Sequence, residues 1–175
     1  MEPIDLFQTF KSKNWLQLLN EQSNVAIVQC MLLSILEKFY HKRLNQIKTK
    51  DIIFVSERYI SSADVFIQAL YERKCITEID RLVLLEILKN FEAHLPKAQA
   101  VLFLSRTTSW CMDHLTSRGR PAELQFCTES YINSISKYYN LYLENLSKNN
   151  VEIVICEDHD IVQNFMQLKK LIEKM

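Results

Sequence analysis

One glycine, Gly119, serves the whole of this 175-residue chain. A loop that cradles nucleotide phosphates on its backbone amides needs several positions with no side chain in the way. No stretch of these residues can be such a loop. The lone glycine sits in the run Arg118-Gly119-Arg120-Pro121-Ala122-Glu123, between two helical patterns.

The length suits one domain, residues 1–175, large enough to bury a core. Apolar residues make up 48% and charged residues 24%, as in an ordinary globular protein. Lysine plus arginine total 21 and aspartate plus glutamate total 21, so no net field favours nucleic acid or an acidic membrane. No apolar run approaches the roughly 18 residues of a membrane span, and Met1-Glu2-Pro3-Ile4-Asp5 lacks a secretory signal's basic start. The five cysteines, Cys30, Cys75, Cys111, Cys127 and Cys156, are scattered and form no C-x-x-C pair. They are expected to be buried thiols in a reducing, cytoplasmic setting rather than disulfides or a metal site. Frequent Asn, Lys and Ile fit an AT-rich genome, as in many viruses.

Three segments are expected to be buried strands: Ile52–Val55, Ala100–Leu104 and Val151–Ile155. Helical patterns separate them. Val25–Ile47 carries Val25, Val28, Leu32, Ile35, Leu36 and Phe39 on one stripe. Ser61 or Ser62 is expected to cap a helix reaching Tyr71, and Thr77 with Asp80 to start another running through Phe91. Thr107–Leu115, Leu124–Leu146 and Asp160–Met175 complete the set. Strands alternating with helices imply a parallel α/β sheet whose ligand lies beyond the strands' carboxyl ends. Ser56-Glu57-Arg58, Ser105-Arg106 and Cys156-Glu157-Asp158 fall at those ends.

Glu57-Arg58, directly after a buried strand, is an expensive place for charge unless it faces a cleft. The pair can bind metal and phosphate, or it can be a structural ion pair; the residues alone leave both open. Arg118 and Arg120, flanking a glycine, suit bidentate phosphate contacts, but a solvated basic turn has the same appearance. Gln29, among apolar helix residues, needs partners for its amide, either a nucleobase edge or a neighbouring backbone.

Glu-Pro-Ile near the start, Gln29 in a long helix, Glu57-Arg58 after a strand with Leu70-Tyr71-Glu72 following, and Arg-x-Arg-x-x-Glu before another helix occur in that order. This arrangement, from Glu2 to about Asp160, resembles the deoxynucleoside kinase family of thymidine kinase and deoxyguanosine kinase type. The resemblance implies transfer of the ATP γ-phosphate to a deoxynucleoside 5′-hydroxyl, with magnesium. It makes Glu2 the general base, and places Phe7 against the nucleoside and Gln29 on the base edge. It makes Glu57 a magnesium ligand and sets Arg58 beside the reacting oxygen. Arg118 and Arg120 become lid residues over the phosphate, and Glu123 the partner of the sugar 3′-hydroxyl. Ala63, small where some relatives carry an acidic residue, implies a preference for pyrimidines. A homodimer is a further implication.

Departures from the family pattern are equally specific. Glu-Arg-Ser reads Glu57-Arg58-Tyr59, a lid arginine reads His114, and a sugar-supporting tyrosine reads Asn20. The segment after Glu57-Arg58 is one residue short. No Gly-x-x-x-x-Gly-Lys-[Ser/Thr] loop precedes Glu2 within these residues. The expected fold is therefore a three-layer parallel sheet of P-loop nucleoside-kinase type, incomplete at its N-terminal side. In the family the phosphate-loop strand lies between the strands matching Ile52–Val55 and Ala100–Leu104. Here those two are expected either to pair directly or to flank a gap. The alternative function is a non-catalytic nucleoside-binding or interaction protein that has lost ATP binding.

Overall fold

The computed structural model describes residues 25–46, 53–157 and 161–174. Glu2, Phe7 and Asn20, the first residue of the Ile52–Val55 segment, and Asp158 lie outside the described residues. The elements are α1 (Val25–Leu44), a 3-10 turn (Ile60–Ser62), α2 (Ala63–Glu72), α3 (Glu78–Glu92), β1 (Ala100–Leu104), α4 (Thr108–Arg118), α5 (Pro121–Phe126), α6 (Glu129–Lys148), β2 (Glu152–Cys156) and α7 (Ile161–Lys174).

Local chemistry explains most of these boundaries. The Thr77 side chain accepts from the Asp80 amide while Asp80 reaches back to the Thr77 amide, a reciprocal capping box that opens α3. Thr107 and Thr128 cap α4 and α6 in the same way, accepting from the Trp110 and Tyr131 amides. His41, Lys42 and Arg43 complement the dipole at the end of α1. Ser62 makes no side-chain cap to α2; its hydroxyl instead donates to the Tyr59 carbonyl at 2.7 Å.

Scarcity of glycine shows at the helix ends. Three described positions are left-handed, and only Gly119 (φ 63°) is glycine; Lys74 (φ 60°) and Asn150 (φ 61°) take the same conformation. At Lys74 the chain closes α2 with Cys75 N donating to Leu70 O at 2.9 Å. At Asn150 it closes α6 with Val151 N donating to Leu146 O at 3.2 Å, and enters β2 directly.

β1 and β2 pair in parallel, from Ala100 opposite Glu152 to Leu104 opposite Cys156. Parallel pairing requires a long crossover, which α4, α5 and α6 supply. α2 packs on α6 and α3, α1 packs on α3, and α6 reaches β2. The core lies mainly between these helices, around Val25, Leu33, Tyr40, Ile60, Ile67, Leu70, Leu84 and Leu88.

Three expectations need correction. β1 and β2 are strands but not buried ones, with Leu104 50% and Ile155 53% exposed, because the described sheet has only these two strands. Ile53, Phe54 and Val55 are not a buried strand; they form no ladder and are 45%, 38% and 60% exposed. A continuous apolar run signals burial on two faces only when a neighbouring strand supplies hydrogen bonds. Among the described residues β1 pairs only with β2, so Ile53–Val55 and β1 do not pair directly. The expected helix over Leu124–Leu146 is two helices, broken at Cys127-Thr128. Pro121 starts the first and Thr128 caps the second, a stop-and-restart that apolar periodicity alone does not register. The cysteines are free, with Cys156 buried and the other four half-buried. No described helix is long and apolar enough to cross a membrane.

Candidate functional site

Gly119 is the turning point of the site. It follows the last residue of α4 in left-handed conformation, its amide donating to Thr116 O at 3.0 Å and Leu115 O at 3.2 Å. This reversal brings Arg118, ending α4, and Arg120, capping α5, onto one carboxylate. Arg118 Nη1 lies 3.2 Å from Glu123 Oε2 and 3.4 Å from Oε1, and Arg120 Nη1 lies 2.9 Å from Oε1. The Glu123 side chain is 12% exposed, while its partners are 50% and 61% exposed. A carboxylate offers about four acceptor positions, and the three contacts leave room for a further donor. Each guanidinium uses one nitrogen here, so most of its roughly five N–H groups remain to meet an anion.

The ground behind this cluster is fixed by Arg73, just past α2. Its guanidinium donates to the Phe126 carbonyl and stacks over the rings of Phe126 (4.8 Å) and Tyr131 (5.4 Å). Arg73 thereby ties α2 to the break between α5 and α6, within one helical turn of Glu123. Burial pushes the Cys127 thiol upward in pKa, as does the Glu123 carboxylate, against the lowering pull of Arg73 and Arg118. Burial also pushes the Tyr131 hydroxyl far up, and both Arg73 and Arg58 act on it in the opposite direction.

Glu57 and Arg58 form an exposed bend after the unpaired Ile53–Val55 segment. They do not form an ion pair with each other; the Arg58 guanidinium lies over the Phe66 ring of α2 at 4.8 Å. The bend's backbone is held from α1. The Tyr40 hydroxyl donates to the Arg58 carbonyl and sits 2.7 Å from Ser56 Oγ, which is itself 2.7 Å from that carbonyl. Arg106 marks the carboxyl ends of both strands, donating to Ser105 O at 2.6 Å and Cys156 O at 3.2 Å.

Gln29 is half-buried on α1, and its amide makes no hydrogen bond to a described residue. The neighbouring-backbone alternative is therefore not taken among the described residues. Ala63 opens α2 half-buried, next to Ser61, whose hydroxyl lies 2.5 Å from the Tyr142 hydroxyl. His114, which the resemblance alone sets at a lid-arginine position, is stacked on Trp110 with ring centroids 3.5 Å apart.

Magnesium and ATP are what the resemblance requires. Magnesium keeps several waters and takes one or two protein carboxylates beside substrate phosphates. The exposed Glu57 carboxylate fits a one-carboxylate site, and no group of three metal-ligating side chains occurs among the described residues. Arg118, Arg120 and Arg58 are cations suited to phosphate. Sequence reasoning missed Tyr40, Phe66, Arg73 and Tyr131. Tyr40, Arg73 and Tyr131 act through contacts far along the chain, and Phe66 through Arg58 across the Ile60–Ser62 turn, which no local pattern announces.

Residues 2–175 match the family model of deoxynucleoside kinases. Two solved structures of deoxyadenosine kinase from M. mycoides share the fold, one with bound dCTP at a TM-score of 0.70 and one with bound dATP at 0.71. Both are 17% identical, and the matches cover 94% and 93% of this chain and 82% of the other. None of the curated proteins compared matches the chain significantly.

Proposed function

Because the chain belongs to the deoxynucleoside kinase family, we propose that its site holds a deoxynucleoside for phosphate transfer to the 5′-hydroxyl. The observation that carries this reading is the Arg118–Glu123–Arg120 cluster at Gly119. It sets an acceptor for a sugar hydroxyl and donors for phosphate within one short segment. Gln29 reads the base edge, with Phe7 and Ala63 lining the pocket and pyrimidines preferred. Glu123 accepts from the 3′-hydroxyl, and Glu2 takes the proton from the 5′-hydroxyl. Arg58 stands by the reacting oxygen, and Arg118 and Arg120 close over the phosphate. ATP with magnesium supplies the phosphoryl group and spreads its charge, with Glu57 as the protein's metal ligand. Such a reaction depends mainly on positioning and charge stabilisation.

The second reading is a nucleoside-binding or interaction protein without transfer. Calorimetric titration of thymidine and deoxyguanosine into the chain and its Gln29→Ala and Glu123→Ala variants tests the shared pocket. Each truncation removes a hydrogen-bond partner and is expected to cost about 1–3 kcal/mol of binding. Absence of nucleoside binding overturns both readings, and tighter binding of deoxyguanosine overturns the pyrimidine preference. Labelled-phosphate transfer by the 175-residue chain alone is expected several orders of magnitude below a typical ~10 s⁻¹. In-frame coding sequence for a glycine-rich loop upstream of Met1 favours the kinase, and an immediate stop codon favours the binding protein.

A further inference from the structure

The Tyr40 hydroxyl has a role that ordinary core packing leaves unexplained. Its ring is 3% exposed and sits among Phe39, Phe54 and Tyr59, with centroids 6.1, 5.8 and 6.1 Å away. That packing alone accounts for the ring, and a buried tyrosine hydroxyl ordinarily finds some partner. The partners found here are unusual in position. Ser56 precedes Glu57 and Arg58 follows it, so the hydroxyl meets the Ser56 side chain on one side of the proposed magnesium ligand and the Arg58 backbone carbonyl on the other.

Ser56 Oγ closes the triangle on the Arg58 carbonyl at 2.7 Å. Among the described residues the preceding Ile53–Val55 segment has no strand partner, and the bend is otherwise tied by Arg58 on Phe66 at 4.8 Å and by the Tyr59 hydroxyl donating to Pro96 O at 2.8 Å. Glu57 is exposed, and the Arg58 guanidinium lies on Phe66. Tyr40 and Gln29 are eleven positions apart on α1. At 100° per residue they share a face within about 20°, separated by roughly 16 Å along the axis. One rigid helix thus carries both the base-reading amide and the hydroxyl that sets the Glu57-Arg58 bend.

We propose that Tyr40 is a positioning residue for phosphate transfer, its hydroxyl fixing the Ser56–Arg58 bend so that Glu57 and Arg58 meet the nucleoside's 5′ end. The proposal rests on the kinase reading of Glu57 and Arg58. Tyr40 touches neither nucleoside nor phosphate; it acts through the backbone. Its effect must therefore appear on ligands that reach the bend and spare those that do not.

Tyr40→Phe keeps the ring and removes only the hydroxyl, and Ser56→Ala removes the triangle's other corner. The full chain and both variants are titrated with thymidine and with thymidine 5′-monophosphate. Amide hydrogen exchange is followed over residues 53–62 without ligand, and thermal unfolding serves as the folding control. In both variants, exchange over the bend is expected to rise. Affinity for the monophosphate is expected to fall about five- to tenfold, and affinity for thymidine to stay within roughly twofold. Unchanged exchange in Tyr40→Phe overturns the proposal whatever the ligands do. Equal losses for both ligands overturn it too, since that is the pattern of general loosening. A wild-type chain that binds neither ligand overturns the kinase reading and the role given to Tyr40, while the exchange result shows separately whether the hydroxyl holds the bend.

Discussion

Arg120 Nη1 and Glu123 Oε1 meet at 2.9 Å, joining a residue assigned to the phosphate with one assigned to the sugar. Arg118 completes the arrangement from the other side of Gly119 at 3.2 Å. Both guanidiniums are at least half exposed, so each pair is screened and worth only about 0.2–1 kcal/mol. A double-mutant cycle of Arg120→Ala with Glu123→Gln, read by urea unfolding, should give a coupling in that range. The coupling should shrink at high salt. A coupling of zero at low salt would show that the contact does not persist in solution.

Opposite signs are expected for two substitutions at left-handed positions. A Cβ at Gly119 would meet nothing closer than Thr116 O at 3.9 Å, so space is not the obstacle to alanine there. The backbone is: φ of 63° costs an alanine about 1–2 kcal/mol. Gly119→Ala should lose about that much stability, and Lys74→Gly, at φ 60°, should gain up to ~1 kcal/mol. Urea midpoints at constant m-value check both.

Arg73→Ala should destabilise by about 2 kcal/mol. It removes a charged hydrogen bond to the Phe126 carbonyl and the stacking over Phe126 and Tyr131. Arg73→Lys should recover only part, since an ammonium lacks the planar face that stacks on both rings. Full recovery in an unfolding titration would show that charge alone matters.

Glu92 offers a pH signature. Burial raises its pKa above the ordinary 4.5, helped by Asp64 and opposed by a hydrogen bond from Ser61. A carboxyl with raised folded pKa binds its proton more tightly when folded, so its contribution is present at acid pH and lost as pH rises from 4.5 through the raised value. Glu92→Gln cannot ionise. Relative to wild type it should gain stability near neutral pH and little below 4.5. A gain of the same size at both pH values would sink this account.

How much of the site was legible depends on the range of the interactions involved. Thr77 with Asp80 announced the start of α3, because a cap is made within a few residues. The Arg118–Glu123–Arg120 cluster was visible as a spacing for the same reason. Tyr40 was invisible: its partners lie 16 and 18 positions away, beyond the reach of any local rule. Arg73 reaches 53 positions to Phe126.

The sequence by itself determined the family, the order of α2, α3, β1 and β2, and the charges of Arg106 and Glu157 at the ends of β1 and β2. Those follow from motif order, apolar period and short-range capping. Only the tertiary structure decided that Ile53–Val55 forms no ladder, that the helix after Glu123 breaks at Cys127, and that Glu57 and Arg58 are held apart rather than paired. A strand needs a hydrogen-bonding neighbour, and a charge takes whichever partner packing brings near. Both are properties of elements meeting in space, which residue order constrains without specifying.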